Sequence, residues 1–338
     1  MSEKIDYSKG IYDARQLGAG RMFILGVQHM FAMFGATVLV PLLTGLSVST
    51  TLLCAGLGTL LFHLITKKKV PAFLGSSFAY LGGFSIVAPM LADADGNLTV
   101  ANTKMLPYAC AAVAFSGLVY LVASLLISTF GIRRIMRFFP PVVTGPIIIS
   151  IGLILAPSAI TNCESNWLLA FVALGTVIVC NIWGKGMAKI IPIILGLLIS
   201  YGTGLVLYFI SQANPDLIQN VPWLFSGGAD ANGVYQPIFD FTSLNTICDN
   251  ISKGHIFGSE GLIGIPIHWD KTVFGGIDYS NGALIASSII AIVPIAFATM
   301  MEHIGDMSAI SATVGENYLA DPGLHRTLLG DGLATALA

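Results

Sequence analysis

The stretch KKKVPAFLGSSFAYLGGFSIVAPM, Lys67 to Met90, decides how this chain is built. Behind its three lysines, Val70 to Ala92 carries no Asp, Glu, Lys or Arg, and a run of about 20 such residues matches one bilayer crossing. Yet Pro71, Gly75, Ser76, Ser77, Gly82, Gly83 and Pro89 place backbone-loosening residues along its length. A continuous helix is not expected there. Broken backbone at membrane depth requires protein or a watery cavity to satisfy the freed N–H and C=O groups, and such breaks mark binding sites in transporters.

Outward from this segment the same apolar character recurs. Met22–Thr66 and Met105–Ile132 are equally free of charge, and the whole chain of 338 residues is 55% hydrophobic and 10% charged. Soluble domains carry about 25% charged residues, so a soluble fold is excluded. The pattern predicts spans near 22–43, 48–66, 70–92, 105–132, 138–160, 166–184, 190–212 and 283–305, which makes an all-α polytopic membrane protein. Residues 1–20 mix acids and bases without a signal peptide's short apolar core, so the first apolar run reads as a retained helix.

Basic residues orient the spans. Lys67–Lys69, Arg133, Arg134, Arg137, Lys185 and Lys189 close the second, fourth and sixth; with Lys4, Lys9, Arg15, Arg21 and Arg326 they put thirteen of sixteen Lys and Arg on one side. That side is expected to be the cytoplasm. Lys104, Lys253 and Lys271 fall on the other, with an Asp-, Asn-, Gly- and Pro-rich segment of residues 213–280 that reads as an extracytoplasmic loop. The five cysteines form no CxxC pair, so neither a metal site nor a disulfide framework is expected. Leu328–Ala338 (LLGDGLATALA) reads as the start of a ninth span.

Ionisable groups inside a membrane are costly and are functional candidates by default. Glu302 and Asp306 in MMEHIGDMSAI lie four apart, which on a helix sets both on one face about 6 Å apart at Cβ. Two carboxylates so close in a poorly hydrated place do not both stay ionised easily, and the pair can take up a proton. Placement at the wet end of the eighth span is the bland alternative, more so for Asp306 than for Glu302. In the first span Gln28 and His29 interrupt an apolar helix; an interhelical hydrogen bond is the commoner use of such a histidine, proton coupling the sharper one. Gly35 and Ala36 permit close approach of a neighbour or ligand. In GSSFAY, Gly75–Tyr80, a half-helix start would offer backbone N–H groups, and Phe78 and Tyr80 either present aromatic faces to a planar ligand or simply pack. No P-loop, HExxH or GxSxG signature is present.

The blocks QHMFAMFGATVLVP (28–41), KKKVPAFLGSSFAYLG (67–82), EHIGD (302–306) and DPGLHR (321–326), in this order, resemble the nucleobase–ascorbate transporter family, especially its bacterial uracil permeases. The resemblance implies fourteen membrane segments in two inverted sevenfold repeats, with a short strand beside a half-helix in the third. Residues 1–21 would then be a cytoplasmic N-terminus, 22–212 the first repeat, and 281–338 the eighth segment and part of the ninth. It implies a base held by the Phe78 backbone N–H and by Glu302 as acceptor, beside Ala36, Ser77 and Tyr80. Proton coupling would fall to Glu302, Asp306 and His29. A second glutamate of the family, in its tenth segment, is expected beyond Ala338. It further implies proton-coupled uracil uptake at a bacterial plasma membrane, with no cofactor but the proton gradient, no nucleic-acid partner and a homodimer. Asp306 stands where the better-known uracil permeases have histidine and purine transporters often have aspartate, which keeps xanthine or urate as the alternative substrate. An intramembrane acid–base enzyme and a noncatalytic scaffold are the rivals from other classes.

Overall fold

A computed structural model describes residues 14–92, 98–131, 134, 137, 141–185, 187–229, 233–252 and 272–337. Lys4, Lys9, Arg133, Lys253 and Lys271, with all of residues 253–271 in the expected loop, lie outside them. The long helices are α1 (Ala19–Thr44), α2 (Val48–Ile65), α4 (Leu106–Phe130), α5 (Pro141–Glu164), α6 (Trp167–Trp183), α7 (Pro192–Ala213), α10 (Ile295–Val314) and α11 (Leu324–Leu337). Shorter ones are α3 (Leu81–Val87), α8 (Thr242–Ser252) and α9 (Gly282–Ile292). Among the described residues strand is confined to two antiparallel pairs, Leu91–Ala92 with Leu98–Val100 and Ser226–Ala229 with Tyr235–Pro237.

Five helices among the described residues are long and apolar enough to cross a membrane: α1, α2, α4, α7 and the composite Gly282–Val314. A sixth arises if Gly152–Glu164 and α6, bent by 118°, count as one span. The eight expected crossings are therefore not eight spanning helices. In the third expected span, helix is limited to the 3-10 turn Phe78–Tyr80 and the seven-residue α3, for the Gly and Pro reasons given above. The eighth runs beyond its expected end at 305 to Val314, where Gly315 at φ +83° provides the left-handed stop that a helix C-terminus favours. Phe23, Leu60, Leu64, Phe209 and Ile290 are each at least 66% exposed, which an aqueous surface would penalise and lipid does not.

The chain divides into two compact units. The described parts of 33–154 and 266–337 form one, and those of 14–32 and 155–252 the other; α1 and α5 contribute to both. In the first unit, α11 packs along α4 and α2. Glycine makes that approach possible: a Cβ on Gly332 would come within 2.4 Å of Tyr120 Cβ, and one on Gly330 within 2.8 Å of the Phe62 ring. A buried cluster of Tyr120, Met300, Ile304, Leu324 and Leu328 fills the space around them. In the second unit, α6 and α7 pack together. Asn166 caps α6 by accepting from Leu169 N at 3.0 Å and donates to the Ser226 carbonyl at 2.8 Å. One amide thus serves both a helix start and the neighbouring hairpin.

Candidate functional site

The broken segment is built by the residues around it. Helix α2 ends at Thr66, and Lys67 and Lys68 follow with φ of +56° and +58°, a left-handed reversal that turns the chain back. From Val70 to Ser77 the chain takes no regular hydrogen-bonded structure and pairs with no strand among the described residues. The strand expected from the resemblance is thus not seen as a strand among the described residues. Its backbone is served by side chains instead. Thr59 on α2 accepts from Leu74 N at 3.0 Å and donates to Leu74 O at 3.2 Å, while Ser76 donates to the Thr37 carbonyl on α1 at 3.3 Å. Gly75 allows the approach to α1, since a Cβ there would meet Thr37 Oγ1 at 3.0 Å.

Beyond Ser77 a 3-10 turn, Phe78–Tyr80, leads into α3. Tyr80 is buried, and its hydroxyl lies 2.6 Å from Ser116 Oγ on α4 and 3.5 Å from Thr299 Oγ1 on α10. The aromatic face expected to meet a ligand is therefore part of the packing that pins the turn. Thr299 stands one helical turn before Glu302, so this contact sets the 3-10 turn beside α10.

Of the residues expected to form a site, Phe78, Ser77, Tyr80, Glu302 and Asp306 are placed in the first unit, as is the backbone of Ala36, adjacent to the Thr37 carbonyl that receives Ser76. His29 belongs to the second unit, where its side chain is exposed. Glu302 is half-buried and Asp306 exposed. Titratable neighbours of Glu302 are Asp306, Asp331 and His303. Ser77 Oγ is buried without a hydrogen-bond partner among the described residues. A buried hydroxyl left so costs roughly 1–3 kcal/mol, a cost normally tolerated where something else supplies the partner.

Two features escaped the sequence reading. His303 Nδ1 lies 2.9 Å from Asp331 Oδ2, joining α10 to α11 with side chains only 5% and 19% exposed. The signal was in plain view, since Asp331 is an acid inside the apolar run LLGDGLATALA. Ser116 and Thr299 gave no such signal, as hydroxyls in apolar helices commonly bond to their own backbone. At the end of the site's frame, Lys69 and Asp321 form an exposed ion pair, and the ammonium holds the Asp321 carboxyl below its ordinary range.

Apolar helices of this kind define a polytopic membrane protein. The sequence profile described as the permease family matches residues 20–338. A uracil permease of Bacillus caldolyticus is 36% identical over 331 residues, 94% of this chain and 62% of the relative. That of Bacillus subtilis is 34% identical, over 92% of this chain and 61% of the relative, and one from Escherichia coli K12 is 26% identical over 93% and 60%. The chain belongs to this permease family, that of the nucleobase–ascorbate transporters. It spans about 62% of the length of the relatives it matches first, and those relatives carry the names of permeases, not enzymes.

Proposed function

We propose that this chain is part of a proton-coupled uracil permease of a bacterial plasma membrane, with its N-terminus in the cytoplasm. The observation that carries the reading is the meeting of Tyr80 with Thr299, which brings the broken turn beside α10 one turn ahead of Glu302. Uracil presents ring N–H donors beside C=O acceptors, so a carboxylate on one side and backbone N–H groups at the start of a 3-10 turn on the other complement its edge. In this reading Glu302 accepts from the base, Phe78 N–H donates to it, and Ser77 supplies or receives one further hydrogen bond beside Ala36. Asp306, one turn further along α10 and exposed, passes the proton to and from Glu302; His29 is a second candidate carrier.

The relatives' names support uracil as the substrate. Asp306 favours one second reading, a xanthine or urate permease, because it stands where purine transporters of the family often carry aspartate. The proton gradient would be the driving force, with no bound cofactor. The two inverted sevenfold repeats, the homodimer, the boundaries at residues 21, 212 and 280 and the extracytoplasmic place of 213–280 belong to the same proposal. Alternating access follows from one bundle rocking against the other.

The test is uptake of labelled uracil, with xanthine as competitor, into cells expressing the gene that encodes this chain, at pH 6 and pH 8. Saturable uptake that is faster at pH 6 and falls by about 100-fold in Glu302→Gln is expected, since the substitution removes a charged acceptor. Undiminished uptake would take Glu302 out of the site. Uptake of xanthine alone would select the purine reading.

A further inference from the structure

Helix α11 is held on three sides by three consecutive residues. Gly330 lies against Phe62 of α2 and Gly332 against Tyr120 and the Gly117 carbonyl of α4, both at distances that exclude a Cβ without displacement. Between them, Asp331 turns to α10 and meets His303. Successive helix residues are about 100° apart around the axis, so the two glycines face well-separated directions with Asp331 pointing between them. The α2–α4–α11 frame therefore fixes where the Asp331 carboxylate stands. Helix α11 touches α10 only sparingly compared with its packing on α4 and α2, so the His303–Asp331 hydrogen bond is the specific tie between them.

His303 is next to Glu302 on α10. Fixing the direction of one side chain fixes the azimuth of the other, about 100° round the helix. We infer that His303 is a positioning residue, whose Nδ1–H, held by Asp331, sets the rotation of α10 and thereby aims Glu302 at the Phe78 turn. The inference rests on the proposed role of Glu302. The tie needs only Nδ1. Among the described residues Nε2 is buried without a hydrogen-bond partner, while the T-shaped contact with Phe62, at 6.4 Å between ring centroids, packs the imidazole in place. Thr299, one turn earlier, holds the same helix to Tyr80, so α10 is guided at two points on either side of the residue that matters.

The two nitrogens of imidazole can be separated by substitution. An asparagine amide reaches roughly where Nδ1 stands, and a glutamine amide where Nε2 stands. Uptake kinetics, normalised to protein at the membrane, are expected to show KM for uracil raised about tenfold in His303→Leu and His303→Gln, as for a misaimed binding group. His303→Asn should restore KM to within about threefold of the wild type, the range left by a near-isosteric donor. An unchanged KM in His303→Leu would overturn the inference, and so would a His303→Asn protein as impaired as His303→Leu. If the wild type carries xanthine and not uracil, the function reading changes while the same KM pattern, measured with xanthine, judges the tie. If it carries neither, thermal unfolding of the purified protein in detergent is measured for His303→Leu, Asp331→Leu and the double variant. Additive losses then overturn the tie, and a double variant no worse than either single one supports it.

Discussion

The two units differ in whether every buried polar group finds a partner. In the second unit each is spent on backbone: Asn166 on the carbonyls of Leu224 and Ser226, Ser226 on Gly228, and Ser211 on Tyr208. In the first, Ser77 Oγ and His303 Nε2 are buried with no partner among the described residues, although Tyr80 bonds Ser116 and Thr299 and His303 Nδ1 meets Asp331. A polar group that closes a helix end or a turn does structural work and is complete. One left open inside a packed bundle is unfinished without a ligand, and it marks the unit where binding is to be sought.

Substitutions in each unit should separate these uses. The largest expected effect is on stability, in the second unit. Asn166→Ala removes a helix cap and hydrogen bonds to the carbonyls of Leu224 and Ser226, about 2 kcal/mol, and should lower the detergent melting temperature while leaving the KM for uracil unchanged. A shift in KM of more than about twofold would bring that unit into the binding site. Ser77→Ala should do the reverse. It removes no hydrogen bond seen within the chain, so melting should hold or rise, while KM increases about fivefold through loss of a bond made only to the base, about 1 kcal/mol. A lowered melting temperature with unchanged KM would place Ser77 among the structural polar groups.

The smallest effect belongs to neither class. Asp321 and Lys69 are exposed, and such pairs contribute little to stability. Because the ammonium lowers the carboxyl's pKa in the folded chain, its contribution is present above the unfolded value, near 3.8, and is lost as pH falls through the folded one. Melting curves of Asp321→Asn and wild type should differ by about a degree or less at pH 7, and the gap should narrow as pH falls below 3.8. A gap that persists in acid would show that the pairing is not what the substitution removed.

Much of this architecture was legible in the sequence, and the losses have identifiable causes. The break at 70–90 was readable because Pro and Gly act locally. What replaces its hydrogen bonds was not, since Thr59 lies on another helix and looks like an ordinary membrane threonine, and the carbonyl of residue 37 that receives Ser76 carries no side-chain signal. Tyr80 was read by its ring, whereas the fold uses its hydroxyl. The extent of α10 was underestimated because the polar run EHIGD resembles the wet end of a span, and only Gly315 stops the helix. Asp331 was overlooked as a detail of a half-span, although the rule that drew attention to Glu302 applies to it equally.

A single hydroxyl on α2, that of Thr59, gives and receives for Leu74 what a neighbouring strand would give and receive along a whole edge. The segment's grammar is consequently written in other helices. Transplanted into a related protein without Thr59 and Ser116, the stretch from Val70 to Tyr80 would carry its own letters and lose their meaning, so it is not a portable module.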